Sequence, residues 1–164
     1  MKSALLVIDM QNEFFDINQA CSDSLKSASE YINVAIDLFR EKNLPIVVIQ
    51  HKSAKQELVP GKSGFDVHRS MKLKPKDIRI VKTYSNSFTK TGLAEKLREL
   101  GVDTVIVTGF CAEYCVLSTY RGAQDFDFTP IILKGALASE NAEHIRFVEE
   151  ITETVSYGAL KTLL

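Results

Sequence analysis

Three side chains of complementary chemistry stand just past three apolar runs: Asp9 after ALLVI at 4–8, Lys82 after IRIV at 78–81, and Cys115 shortly after TVIVTG at 104–109. Covalent acyl transfer needs a nucleophile, a cation that favours its anion and a carboxylate that moves its proton. Each residue alone has a simpler explanation, because strands end in polar residues where they meet water and free cysteine is often a small core hydrophobe. Three such groups together point to chemistry. An ordinary thiol titrates near pKa ~8.5 and is only a few per cent ionised at neutral pH. Lowering that value by about two units takes roughly 2.7 kcal/mol, more than an exposed helix terminus usually gives. Cys115 is expected in the first turn of a helix spanning Tyr114 to Asp125, where unpaired amides favour an anion, with Lys82 supplying the remainder. Asp9 would take the thiol proton and return it to a leaving amine.

The elements that position these residues alternate. Strands are expected at 4–8, 45–49, 78–81, 104–109 and 129–133. Leu25, Ile32, Ala35, Ile36 and Phe39 recur at helical spacing between about Ser22 and Lys42, ahead of Asn43. Further helices are expected at Leu93 to Leu100, closed by Gly101, at Tyr114 to Asp125, and at Ala142 to Thr154. Such alternation implies right-handed crossovers and a three-layer α/β/α sandwich around a central parallel sheet of five to six strands, Rossmann-like in outline. Ligands bind at the carboxyl ends of such strands, where His51 also falls. The stretch from Lys52 to Lys76, with Pro60, Gly61, Gly64 and Pro75, reads as a long functional loop or lid. No repeat or linker divides the chain, so residues 1–164 are expected to form one domain.

Twenty basic and 21 acidic side chains in 164 residues give a net charge of −1. Nothing therefore draws the protein to nucleic acid or an anionic membrane, and a small-molecule substrate and copies of itself are the expected partners. No apolar stretch reaches the roughly 20 residues of a membrane span, and MKSALLVIDMQ meets Asp9 too early for a signal peptide, so a cytoplasmic location is expected. Cys21, Cys111 and Cys115 make an odd, sparse set that suits thiol chemistry or burial better than a disulfide framework.

The segments LLVIDMQNEFF (5–15), VKTYSNSF (81–88) and VTGFCAEYCVLSTYRGA (107–123) together resemble the isochorismatase-like cysteine hydrolases, which include nicotinamidases and N-carbamoylsarcosine amidohydrolases. The likeness runs from about Ala4 to about Ala138. It implies the family's hydrolase fold, with Asp9, Lys82 and Cys115 as catalytic residues. It also implies a cis peptide between Phe110 and Cys111, and an oxyanion hole from the backbone amides of Cys111 and Cys115. The implied reaction is attack of Cys115 on an amide-like carbonyl, loss of ammonia or an amine through Asp9, and hydrolysis of the thioester without an organic cofactor. Relatives of this kind form homodimers or larger homo-oligomers.

Departures from the family narrow the substrate. Nicotinamidases carry an Asp-x-His metal motif after the second strand, whereas this chain reads Gln50-His51-Lys52-Ser53. A metal at His51 and His68 would lack a carboxylate in register, so neither a metal nor nicotinamide is expected. Enzymes acting on isochorismate generally lack the cysteine. Glu113 stands where many relatives have aspartate.

Gly61-Lys62-Ser63 is not the end of a phosphate loop, because Gln56 stands where the first glycine is required. Cys111 and Cys115 lack the partners of a zinc site, although two thiols four residues apart leave open an alternative: a non-hydrolytic redox or ligand-binding relative. His144 reads as a solvated surface residue and His51 as a hydrogen-bonding pocket residue. Phe14, Phe15, His51, Tyr84, Phe88 and Tyr114 are the candidates for the substrate pocket.

Overall fold

Six parallel strands among the described residues, β1 (Ser3–Ile8), β2 (Ile46–His51), β3 (Ile78–Lys82), β4 (Thr104–Phe110), β5 (Thr129–Ala138) and β6 (Thr154–Val155), form one sheet in the order β3-β2-β1-β4-β5-β6. The computed structural model describes residues 2–164. Strand β1 (Ser3–Ile8) is buried along its whole length and pairs with β2 (Ile46–His51) on one side and β4 (Thr104–Phe110) on the other. Its alternate side chains feed opposite cores: Leu5 and Val7 pack with one buried cluster, and Ala4, Leu6 and Ile8 with the other. This is why the run reads as continuously apolar.

The first cluster is covered by helix α2 (Gln19–Glu41) through Leu25, Ile32, Ile36 and Phe39, joined by Leu160 of α6 (Tyr157–Leu163). The second lies under α3 (Leu93–Glu99), α4 (Leu117–Asp125) and Val148 of α5 (Ala142–Glu150). The expected three layers are present.

Several boundaries differ for identifiable reasons. Helix α2 starts at Gln19 rather than near Ser22, because Asn18 accepts a hydrogen bond from the Cys21 amide at 2.9 Å and so caps it. Strand β5 (Thr129–Ala138) continues five residues past Leu133, through Lys134 and a left-handed Gly135, by way of a register shift against β4. Helix α5 stops at Glu150, and Thr154–Val155 form β6 beside Ile132 and Leu133. The short α1 (Asn12–Phe15) and α6 fall outside the expected elements.

The 52–76 segment is a fastened strap rather than a free lid. It holds 3-10 turns at Ala54–Gln56 and Ser63–Phe65 and buries Leu58, Phe65 and Met71. It also bridges Gln11 through Val67 and bonds the Met10 carbonyl through the His68 amide. Among the described residues no helix is long and apolar enough to cross a membrane.

At the carboxyl end of β4 the chain passes close to β1. Gly109 has φ +117, and a Cβ there would lie 2.1 Å from the Ile8 carbonyl oxygen. Gly109→Ala is therefore expected to cost more than about 4 kcal/mol, combining left-handed strain with a backbone clash that cannot relax. Urea unfolding checks this, and near-wild-type stability would contradict the close approach.

Candidate active site

Asp9, Lys82 and Cys115 meet at the carboxyl edge of the sheet. Asp9 follows β1 with φ +53, and its amide bonds the Ile49 carbonyl at 2.9 Å, which fixes the carboxylate below the surface. Lys82 closes β3 (Ile78–Lys82) and faces His51, the last residue of β2, in register. Its side chain is 0% exposed. Cys115 lies in a π-helical turn, Ala112–Val116, ahead of α4, not in the first turn of an α-helix. The turn is set by the Val116 and Tyr114 amides, both bonding the Cys111 carbonyl at 3.1 Å. The peptide between Phe110 and Cys111 is cis.

The loop after β3 is fastened to α4 by a 2.7 Å hydrogen bond between the Ser87 and Thr119 hydroxyls. Asn86 packs where Gly122 leaves no Cβ. These contacts join the second and third sequence segments and bring the strand of Lys82 to the turn of Cys115.

Lys82 Nζ lies 2.9 Å from Asp9 Oδ2, 3.3 Å from Cys115 Sγ and 3.1 Å from His51 Nδ1. One ligand atom each from Asp9, His51 and Cys115 all fall within 4.8 Å of one another. Asp9 Oδ1 is fully buried and has no hydrogen-bond partner among the described residues. Burial pushes the Asp9 carboxyl above its ordinary range despite the neighbouring Lys82 ammonium.

The thiol differs from the expectation of a standing thiolate. Burial first, and then the Asp9 charge, push Cys115 up to about 12, outweighing Lys82. The ammonium is already shared with a carboxylate, so it cannot alone keep a second anion charged. With both groups pushed upward, a proton moving from sulfur to carboxylate leaves the net charge of the enclosed cluster unchanged. That shift is far cheaper than ionisation into water.

The other residues expected at the site divide. His51 joins the cluster. Phe14 packs against the Phe110 ring with centroids 5.0 Å apart, beside the cis peptide. Phe15 is instead buried and stacks on His68 at 3.8 Å, and Phe88 is buried among Phe126 and Phe128 on the α3 and α4 side of the sheet. Both are core residues, so these two pocket expectations are corrected. Tyr84 is exposed and paired with Lys90 Nζ at its hydroxyl, and Tyr114 is 64% exposed beside Cys115 in the chain.

His144 is not merely solvated, since its Nδ1 lies 2.6 Å from Glu113 Oε1. Glu113 also accepts from the Ser139 hydroxyl at 3.1 Å and from the Cys111 thiol at 2.9 Å. It thus ties the π turn to the end of β5 and the start of α5. Burial raises Glu113, but bonds from Cys111, its own amide, His144 and Ser139 hold it below the ordinary value.

Gln11, fully buried, is the residue that sequence reasoning passed over. Its Oε1 accepts from the His51 amide at 2.7 Å, and its Nε2 donates to the carbonyls of His51 at 3.0 Å and Phe65 at 2.9 Å. An amide two residues past Asp9, inside the same 5–15 segment, was the available signal.

A family model described as the isochorismatase domain matches residues 3–154. The uncharacterized isochorismatase family protein YrdC of Bacillus subtilis is 31% identical over 140 residues, covering 84% of this chain and 74% of that protein. The ureidoacrylate amidohydrolase RutB of Variovorax paradoxus is 28% identical over 170 residues, covering 82% and 68%. Among solved structures, the N-carbamoylsarcosine amidase of Thermoplasma acidophilum superposes with a TM-score of 0.81 at 25% identity, covering 95% of each chain.

Proposed function

This chain belongs to the isochorismatase family, and on that footing we propose that it is a cysteine hydrolase cleaving the C–N bond of a small amide or ureido compound. Cys115 passes its thiol proton to Asp9, the Lys82 ammonium faces the thiolate so formed, and that sulfur then bonds the carbonyl carbon as the C=O electron pair moves onto oxygen. The oxyanion that forms is met by the backbone amides of Cys111 and Cys115. The C–N bond breaks, the leaving nitrogen takes the proton from Asp9, and a thioester remains on Cys115. Water, deprotonated by the same carboxylate, attacks the thioester, releasing the acid and restoring the thiol. Relatives named for ureidoacrylate and N-carbamoylsarcosine support this substrate class.

The observation that carries the reading is the unpartnered Asp9 Oδ1. A buried acceptor left without a donor costs about 1–3 kcal/mol. A substrate nitrogen bearing hydrogen removes that cost and stands where the returning proton is needed, whereas an ester offers no such donor.

The residues do not fit a metal. Asp9, His51 and Cys115 present suitable atoms, but the Lys82 ammonium already lies within 3.3 Å of all three. A divalent ion would have to enter against a like charge at contact distance. His68 is occupied with Phe15 and with Ser70, whose hydroxyl is 2.8 Å from its Nδ1. Nor does Cys111 suit the redox alternative. Its thiol donates to Glu113, and burial with that carboxylate raises its pKa, the reverse of what an oxidation-sensing thiol requires.

The test is ammonia or amine release from a panel of small primary carboxamides and ureido acids, each paired with its N,N-dialkyl analogue. The N–H-bearing member is expected to lead by at least about 10³-fold in kcat/KM, as at a site built around one donor. Equal rates within pairs would remove Oδ1 from the mechanism, and no hydrolysis across the panel would reject the substrate class.

A further inference from the structure

An ammonium has three N–H donors and no acceptor, and Lys82 has three acceptors: Asp9 Oδ2, Cys115 Sγ and His51 Nδ1. The match is complete only if His51 is neutral with a bare Nδ1. Protonated there, the imidazole would face the ammonium with a second cation at 3.1 Å. His51 is also held unusually firmly, because Gln11 bonds both its amide and its carbonyl. A backbone fixed on both sides by one buried amide presents the ring at a set place, which is what positioning an ammonium requires.

Taking Cys115 as the reactive thiol of the proposed hydrolase, we propose that His51 is a positioning residue. In its neutral form, with the proton on Nε2, it holds the Lys82 ammonium between Asp9 and Cys115. Its protonation dislodges that ammonium and sets the acid limit of Cys115 reactivity. The charged and titratable groups facing the ring are Lys82 from β3, Asp9 beyond β1 and Cys115 from the π turn. Burial and Lys82 lower the His51 pKa against the opposing pull of Asp9. The neutral form therefore persists below the ordinary histidine value and fails on further acidification.

The role differs from that of a core histidine in what replaces it. Asparagine places an oxygen acceptor where Nδ1 stands and does not titrate, whereas alanine leaves the third N–H of Lys82 without its partner.

The experiment follows alkylation of the full chain by iodoacetamide from about pH 5 to pH 9, with modification at Cys115 resolved by peptide mapping, in wild type, His51→Asn and His51→Ala. Wild-type reactivity is expected to fall on the acid side of the ordinary histidine pKa. In His51→Asn that limb should move at least about one unit lower while reactivity at neutral pH stays within about threefold of wild type, and His51→Ala should lose about tenfold at neutral pH. An unchanged acid limb in His51→Asn would assign the limb to Asp9 and overturn the proposal, as would an alanine variant that reacts like wild type.

Long-range ¹⁵N spectra of the wild type supply a readout free of any folding defect. Nδ1 should be the unprotonated nitrogen at neutral pH, and an Nδ1–H tautomer would also overturn the proposal. None of these measurements uses a substrate. A chain that hydrolyses no amide yet gives these results loses the proposed function and keeps the role of His51.

Discussion

Cys115→Ala is expected to lower kcat by at least about 10⁵-fold, while the protein stays folded and binds substrate. In the proposed reaction every turnover passes through a bond to this sulfur, and in covalent hydrolases loss of the nucleophile alone costs about as much as loss of all the groups that act with it. Stability should change little, because the thiol's polar contacts are the 3.3 Å bond from Lys82 and the Asp9 carboxylate, and that ammonium keeps Asp9 and His51. Removing a thiol that competes for the same proton leaves the carboxylate intact, so calorimetric titration with a hydrolysable amide should give a measurable Kd and no product. Activity above roughly a hundredth of wild type would mean that the reaction does not run through a thioester.

Lys82→Met should injure both rate and fold. Fully buried, the lysine is the only side-chain cation bonded to Asp9 among the described residues. Breaking a buried pair from one side typically costs about 3–5 kcal/mol, and a kcat loss of at least about 10³-fold is expected as the forming thiolate loses its counter-charge. The pH dependence follows from the sign of the Asp9 shift. Because the folded pKa lies above the ordinary 3.8, the native state binds more protons than the unfolded chain between those two values. Stability contributed by this carboxyl is thus fullest below 3.8 and declines as pH rises through the folded pKa.

Without Lys82 the upward shift grows and the window extends to higher pH. Lys82→Met should consequently lose more stability at mildly alkaline than at mildly acidic pH, as read by urea unfolding. Asp9→Asn with Lys82→Met should recover much of the stability and none of the activity. A single variant as stable as wild type at every pH would show that Asp9 does not depend on the ammonium.

The sheet and the three converging side chains were legible because parallel strands covered on both faces read as unbroken apolar runs, and their carboxyl ends fall at one edge. The same reasoning put His51 at that edge, and the pairing of β2 with β3 sets it beside Lys82. What escaped it depends on geometry that periodicity does not carry. An extra residue per turn at Ala112–Val116 is invisible to a helical pattern that resumes normally at Leu117. Phe88 lies six residues past Lys82, but chain proximity does not reveal which layer a ring enters, and it packs with Phe126 and Phe128 instead. The apolar run that ends at Leu133 hides the rest of β5, which bulges and runs on to Ala138. Glu113 and His144 lie 31 residues apart and meet only because β5 and α5 return the chain to the π turn.

The sheet order puts Lys82 on β3, the outermost strand at its end of the sheet, paired along its backbone with β2 alone, while Asp9 and Cys115 depend on the interior strands β1 and β4. Outer strands fray at lower free-energy cost than interior ones. A brief detachment of five residues would withdraw the ammonium and leave the rest of the molecule standing, so competence and foldedness need not be lost together. Partial inactivation by warming or mild denaturant would then precede collapse of the core and reverse as the strand re-pairs.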